Sequence, residues 1–171
     1  MAHGVVYTAN IDVFDKCTFS FVCDSDIDNG YLVTKGALVT GEDAIYNATF
    51  DTTASAYLVA NPAWNYDESN YANRYDESTY YNKAGVSFRA YKLNADKHDR
   101  IEVSADAVNT TLAVDDIVGM GATGQITKDA TSKFQGKVIG VRNLGGAAYN
   151  VGTAGTIDTG RTFYKIEVIE N

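Results

Sequence analysis

Basic residues are in short supply. The 171-residue chain has 14 Lys plus Arg against 22 Asp plus Glu, a formal charge of −8. That deficit argues against a nucleic-acid partner, because little would neutralise phosphates. The 14 basic residues are also scattered, with no cluster interleaved with aromatics as a nucleic-acid track would need. Long apolar runs are missing too. None approaches the roughly 20 residues that span a bilayer, so no membrane partner is expected. Residues 1–10 lack a positive n-region and an apolar h-region, so no signal peptide is expected. Of the two cysteines, Cys17 and Cys23 lie six positions apart. On one strand they would stand about 20 Å apart, too far for a disulfide. They read as small buried residues.

Histidine is as scarce. His3 lies in a candidate N-terminal arm over 1–16, and His98 lies in the charged turn Asp96-Lys97-His98-Asp99-Arg100. Neither has a zinc-like or triad setting, and both read as solvated. The adjacent pair Asp115-Asp116 is no glycosidase pair, since cooperating carboxylates must face each other across a bond. Asp24, Asp26 and Asp28 begin like a calcium loop. Asn29 stands at the sixth position and Lys35 at the twelfth, where an EF-hand needs Gly and Glu. An acidic hairpin tip without a metal is the preferred reading, with a calcium site of another kind than an EF-hand as the minor alternative. Gly119-Met120-Gly121-Ala122-Thr123-Gly124 matches a dinucleotide fingerprint, but no amphipathic helix follows. It reads as a loop. No catalytic residue and no cofactor are expected.

What the chain does have is strand-forming material. It is rich in Tyr, Thr, Val and Ile, and its single proline with 15 glycines fits an ordered chain with many turns. Short apolar or alternating runs recur between turn residues. They include Gly4–Tyr7, Thr18–Val22, Tyr31–Val39 (broken at Gly36), Ala56–Ala60, Val86–Leu93, Arg100–Val103, Leu112–Val118, Lys137–Val141 and Thr162–Ile169. In the last, Tyr164, Ile166, Val168 and Glu170 share one face. Asn29-Gly30 predicts a hairpin between the second and third runs. Few windows show helical spacing, and the best helical candidate is one short turn over Ser104–Val108. The pattern predicts an all-β fold, a small barrel or sandwich of short strands, in a single domain over 1–171.

Residues 61–83 stand apart as a long Tyr/Asp/Ser-rich loop insertion. Tyr66-Asp67-Glu68-Ser69 recurs as Tyr75-Asp76-Glu77-Ser78. The nine-residue offset puts the copies on opposite sides of either a helix or a strand, so they form no one-face stripe. Such loops are often functional, although their tyrosines can also simply cover the neighbouring sheet.

The order of Tyr31–Val39, Arg100–Ser104 leading into Leu112–Val118, Gln135–Val141 and a closing strand Phe163–Ile169 resembles the head decoration, or cement, proteins of tailed bacteriophages. The resemblance covers about 30–60 and 86–171 and leaves the tyrosine-rich insertion outside. It implies a non-enzymatic virion protein, made in the host bacterial cytoplasm, that binds the major capsid protein on the outside of the head, with further copies of itself as a second partner. Tyr buries large area at low entropic cost. The contact candidates are therefore Trp64, Tyr66, Tyr71, Tyr75, Tyr80 and Tyr81, with Val5, Val6 and Tyr7 of the arm. The alternative is a carbohydrate-binding β-sandwich in which Trp64 and the tyrosines stack on sugar rings.

Overall fold

The computed structural model describes residues 2–10, 18–63, 77–128, 131–144 and 161–171. Among these are eleven strands: β1 (Val6–Asn10), β2 (Thr18–Val22), β3 (Leu32–Leu38), β4 (Ile45–Thr49), β5 (Ala56–Val59), β6 (Phe88–Lys92), β7 (Arg100–Ser104), β8 (Ile117–Met120), β9 (Ile126–Thr127), β10 (Gln135–Leu144) and β11 (Arg161–Glu170). Helix among the described residues is limited to 3-10 turns at Glu77–Thr79 and Ala105–Ala107, the second within the predicted Ser104–Val108 turn.

The strands form two bodies. β2 to β6 close into a five-stranded barrel in the order β2-β4-β3-β5-β6, and the rest form an open sheet in the order β1-β7-β11-β10-β8-β9. The nearly all-β architecture is thus the expected one, with a barrel and an open sheet combined. The barrel is inserted in the chain between β1 and β7, which are neighbours in the sheet.

The period-2 alternation of strands explains how the two bodies share a core. On β5, Tyr57 and Val59 point into the barrel with Phe21, Val33, Phe88 and Ala90. Ala56 and Leu58 point the other way, into a cluster that also holds Ile101, Val103, Val138 and Ile166 of the sheet. β5 is therefore buried on both faces and serves as the common wall. The predicted faces of the closing strand hold: Tyr164, Ile166 and Val168 are all in the shared core, while Glu170 is exposed beyond it.

Two expectations are corrected. Asn29-Gly30 does make a sharp turn, with Gly30 at φ +88°, but it joins no hairpin. β2 pairs with β4 in parallel and with β6, never with β3. The Asn29 side chain is turned inward and bonded, as described below, so it could not sit at an exposed tip. The second correction concerns the N-terminal arm. Val6–Asn10 form the sheet strand β1, with Val6 opposite Val103. Val5 is 4% exposed, and its N–H donates to the Ser104 hydroxyl at 3.0 Å.

The Gly-rich stretch is a loop only from Gly121 on, because Gly119 and Met120 are the last residues of β8 and pair with β9. It joins β8 to β9, and its tip rests on the barrel: the Leu32 N–H donates to the Gly124 carbonyl at 2.7 Å. Gly124 has φ +83°, and a Cβ there would lie 2.6 Å from the Leu32 carbonyl oxygen. Only glycine fits that approach.

Candidate interaction surface at the base of the tyrosine-rich segment

The insertion has an ordered base. The described chain leaves at Ala63 and re-enters at Glu77, and three asparagines hold the two ends together. Asn29 Nδ2 donates to the Asn61 carbonyl at 2.9 Å, and Asn29 Oδ1 accepts from the Asn61 N–H at 3.0 Å. Asn61 Nδ2 donates to the Tyr80 hydroxyl at 2.7 Å, which in turn donates to Asn82 Oδ1 at 3.3 Å. Asn82 exchanges both backbone hydrogen bonds with Ile27, at 2.8 and 2.9 Å. Asn29 and Asn82 are buried at 6% and 3% exposure. Such groups are tolerated because every amide finds a partner. The tyrosine-rich insertion therefore begins and ends inside the fold: residues 77–82 are structural, and the part outside the described residues is 64–76.

His3 is tied to this base, contrary to its solvated reading. Its Nδ1 stands 2.8 Å from Asp28 Oδ1, its N–H donates to the Ser78 carbonyl at 2.8 Å, and its ring lies 4.9 Å from that of Tyr81. Asp28 also accepts from the Gly4 N–H at 3.2 Å. Asp26 accepts from the Ala84 N–H at 2.9 Å. The alternate carboxylates thus hold backbone in place rather than converge, and among the described residues no cluster of acids, histidines or cysteines could hold a metal. His98 does read as exposed, with Glu167 3.3 Å away.

Arg161, the first residue of β11, donates to the Ser78 hydroxyl. That bond places the return of the tyrosine-rich segment beside the return of a second segment outside the described residues, 145–160. Next to it, on the sheet face turned away from the barrel, the Tyr7 and Phe163 rings pack 5.3 Å apart. Arg142 donates to Glu102 on the same face. Tyr7 is 41% exposed. Its phenol is pushed up from the ordinary 10.0, first by burial and then by Glu77 and Glu102, against the pull of Arg142 and Arg161. A cavity of about 260 Å³ opens between β1 and the insertion's base, lined by Val6, Thr8, Asn29, Asn61, Pro62 and Glu77 among others.

The sequence-derived contact residues divide accordingly. Val5 is core, and Val6 is half-buried against the shared core. Tyr7 remains a surface ring. Tyr80 and Tyr81 are half-buried and hold the base. Trp64, Tyr66, Tyr71 and Tyr75 lie outside the described residues. Sequence reasoning missed Asn29, Asn61, Asn82, Phe163, Arg142 and Arg161. The asparagines carried a signal, since each borders a turn or the insertion, but nothing in the sequence marks them as partners. Asp115 and Asp116 point to different lysines, Lys137 at 2.7 Å and Lys128 at 2.6 Å. Cys23 is buried and free, as expected, while Cys17 lies outside the described residues.

Compared with known proteins, the chain matches no family model, no curated protein and no solved structure.

Proposed function

We propose that the protein is a structural virion component that binds the major capsid protein on the outside of a phage head and stiffens the shell by adhesion. The observation that carries this reading is the Arg161–Ser78 bond. It sets the bases of two long segments side by side on a β scaffold, next to the exposed Tyr7 ring, which packs on the buried Phe163 and is bordered by charges of both signs. Rigid elements holding adjacent loops are a common way to build a protein-binding surface. Tyr7, packed on the buried Phe163, offers an aromatic surface with a phenol hydroxyl, and Arg142 with Glu102 offers polar selectivity. Contacts of this kind are individually weak and gain strength by repetition over a symmetric shell.

The test uses heads of the encoding phage assembled without this protein. The purified chain should co-sediment with them and raise the temperature at which they open. Tyr7→Ser together with Arg142→Glu should keep the fold and weaken co-sedimentation about tenfold or more, as loss of an interface anchor does. Wild-type protein that neither sediments with heads nor changes their heat resistance ends this reading.

A further inference from the structure

One end of the barrel carries a second constellation, independent of the surface above. Phe19 on β2 and Tyr46 on β4 stand at the barrel mouth, with the buried Tyr57 of β5 packed against Phe19. Phe19 meets Tyr46 and Tyr57 edge-on, with centroids 6.1 and 5.4 Å away. Phe21 packs beneath Tyr46 and Tyr57 at 6.3 and 5.3 Å. Edge-to-face packing fixes the rings, and the face of an aromatic ring attracts a cation.

The cation there is the chain's own. Val33 lies in the barrel interior, and two residues further along β3 the same face is presented by Lys35. Its Nζ lies 3.8 Å from the Tyr46 centroid and 4.5 Å from that of Phe19. The β3–β4 register shifts between Lys35 and Leu38, and such irregularities re-aim a side chain. Among the described residues, Lys35 makes no ion pair with a carboxylate. An exposed, strongly hydrated primary ammonium on a flexible stem is a replaceable occupant.

We propose that this aromatic mouth is a binding site for quaternary ammonium groups, with Lys35 as its built-in competitor. A quaternary ammonium spreads its charge over methyl groups and sheds water readily, so ring faces suit it better than they suit a lysine. Rings that hold one ammonium within about 6 Å of their centroids have the geometry for such ligands. The net charge of −8 draws cations towards the protein from any direction.

The test is titration of the full chain with choline chloride at constant ionic strength, read on the aromatic NMR signals of Phe19 and Tyr46. Lys35→Ala, or Lys35→Ser as a second variant should the first lose its native amide spectrum, should bind choline about tenfold more tightly than wild type. The neutral isostere 3,3-dimethylbutan-1-ol and lysine amide should both bind more weakly than choline. Adding Phe19→Ala to the lysine variant should abolish the shifts. A lysine variant with unchanged choline response makes Lys35 a mere plug and overturns the proposal. So does equal binding of the neutral alcohol, or lysine amide binding as tightly as choline.

Discussion

The barrel and the sheet solve the same problem differently. The barrel closes on itself, so its strands have no free edge, and its interior is aromatic: Phe21, Tyr57 and Phe88, with Phe19 and Tyr46 at the mouth. The sheet stays open, with β1 at one edge and the two-residue β9 at the other. Its core is mostly aliphatic and is completed by three barrel residues, Leu32, Ala56 and Leu58. Closure gives a body its own inside, whereas an open sheet must borrow a wall. The edge strands are kept short, which limits templating by other chains.

The sharpest way to break this comparison is at the borrowed wall. Leu58 is fully buried on the sheet side of β5. Leu58→Ala should cost about 2–5 kcal/mol through lost burial and a cavity. If the wall is shared, urea unfolding followed by strand-resolved hydrogen exchange should show β5 and β11 losing protection together. Separate transitions would mean two independent bodies. Gly124→Ala attacks the second junction, where the loop tip meets Leu32. The backbone conformation alone should cost about 1–3 kcal/mol, with the close carbonyl contact added, and protection should fall at Leu32 before it falls within β10.

Asn82→Ala tests the insertion's base instead. It removes the partner of Tyr80 and the bond to the Ile27 carbonyl, and it should cost about 1–2 kcal/mol in thermal or urea melts. Removal of 64–76 with a short linker should cost much less, because the asparagine cluster lies outside the excised stretch. Removal of 63–82 should be severe, since it takes Ser78 and Asn82 with it.

The smallest effects come from titration. Lys128 and the Ala113 N–H hold the Asp116 carboxyl below its ordinary 3.8, and Thr53 does the same for Asp51. A depressed carboxylate contributes stability above its unfolded value, and that contribution is lost as pH falls through the lower folded value. Acid melts should therefore steepen below about pH 4, and Asp116→Asn should flatten the sheet's share. At the alkaline end the sign reverses. Tyr7 and Tyr31 are raised above 10.0, mainly by burial. Their contribution is whole below the unfolded value and is lost as pH rises through the folded one. Absorbance at about 295 nm should show both phenols ionising late, and Tyr7→Phe and Tyr31→Phe should each remove part of that late phase.

Much of the fold is legible in the sequence because alternation is a local signal. Tyr164, Ile166 and Val168 announce a core face by spacing alone, as Phe88 and Ala90 do. That Gly119–Gly124 opens no helix is legible from what fails to follow it, whereas the strand pairing of Gly119 and Met120 is not. Pairing is not local. Nothing in Thr18–Val22 says that its neighbours are β4 and β6, and an Asn-Gly step that favours a hairpin is overruled by Asn29 binding Asn61 across the chain. The N-terminal run reads as a strand, but its partner Val103 is remote in sequence. The site is less legible still. Tyrosine richness points to 61–83 as a region, whereas Arg161 meeting Ser78 is a product of topology.

The position of β11 has a further consequence for how the molecule is made. Everything the barrel needs, from Thr18 to Lys92, leaves the ribosome as one uninterrupted stretch. β1 precedes the barrel, yet among the described residues its only strand partner is β7, and β7 pairs with β11 on its other side. A nascent chain thus carries a closable barrel with unpaired strand edges beside it until the very late arrival of Arg161–Glu170. Premature termination anywhere in that interval leaves those edges bare, a species suited to clumping and to capture by chaperones.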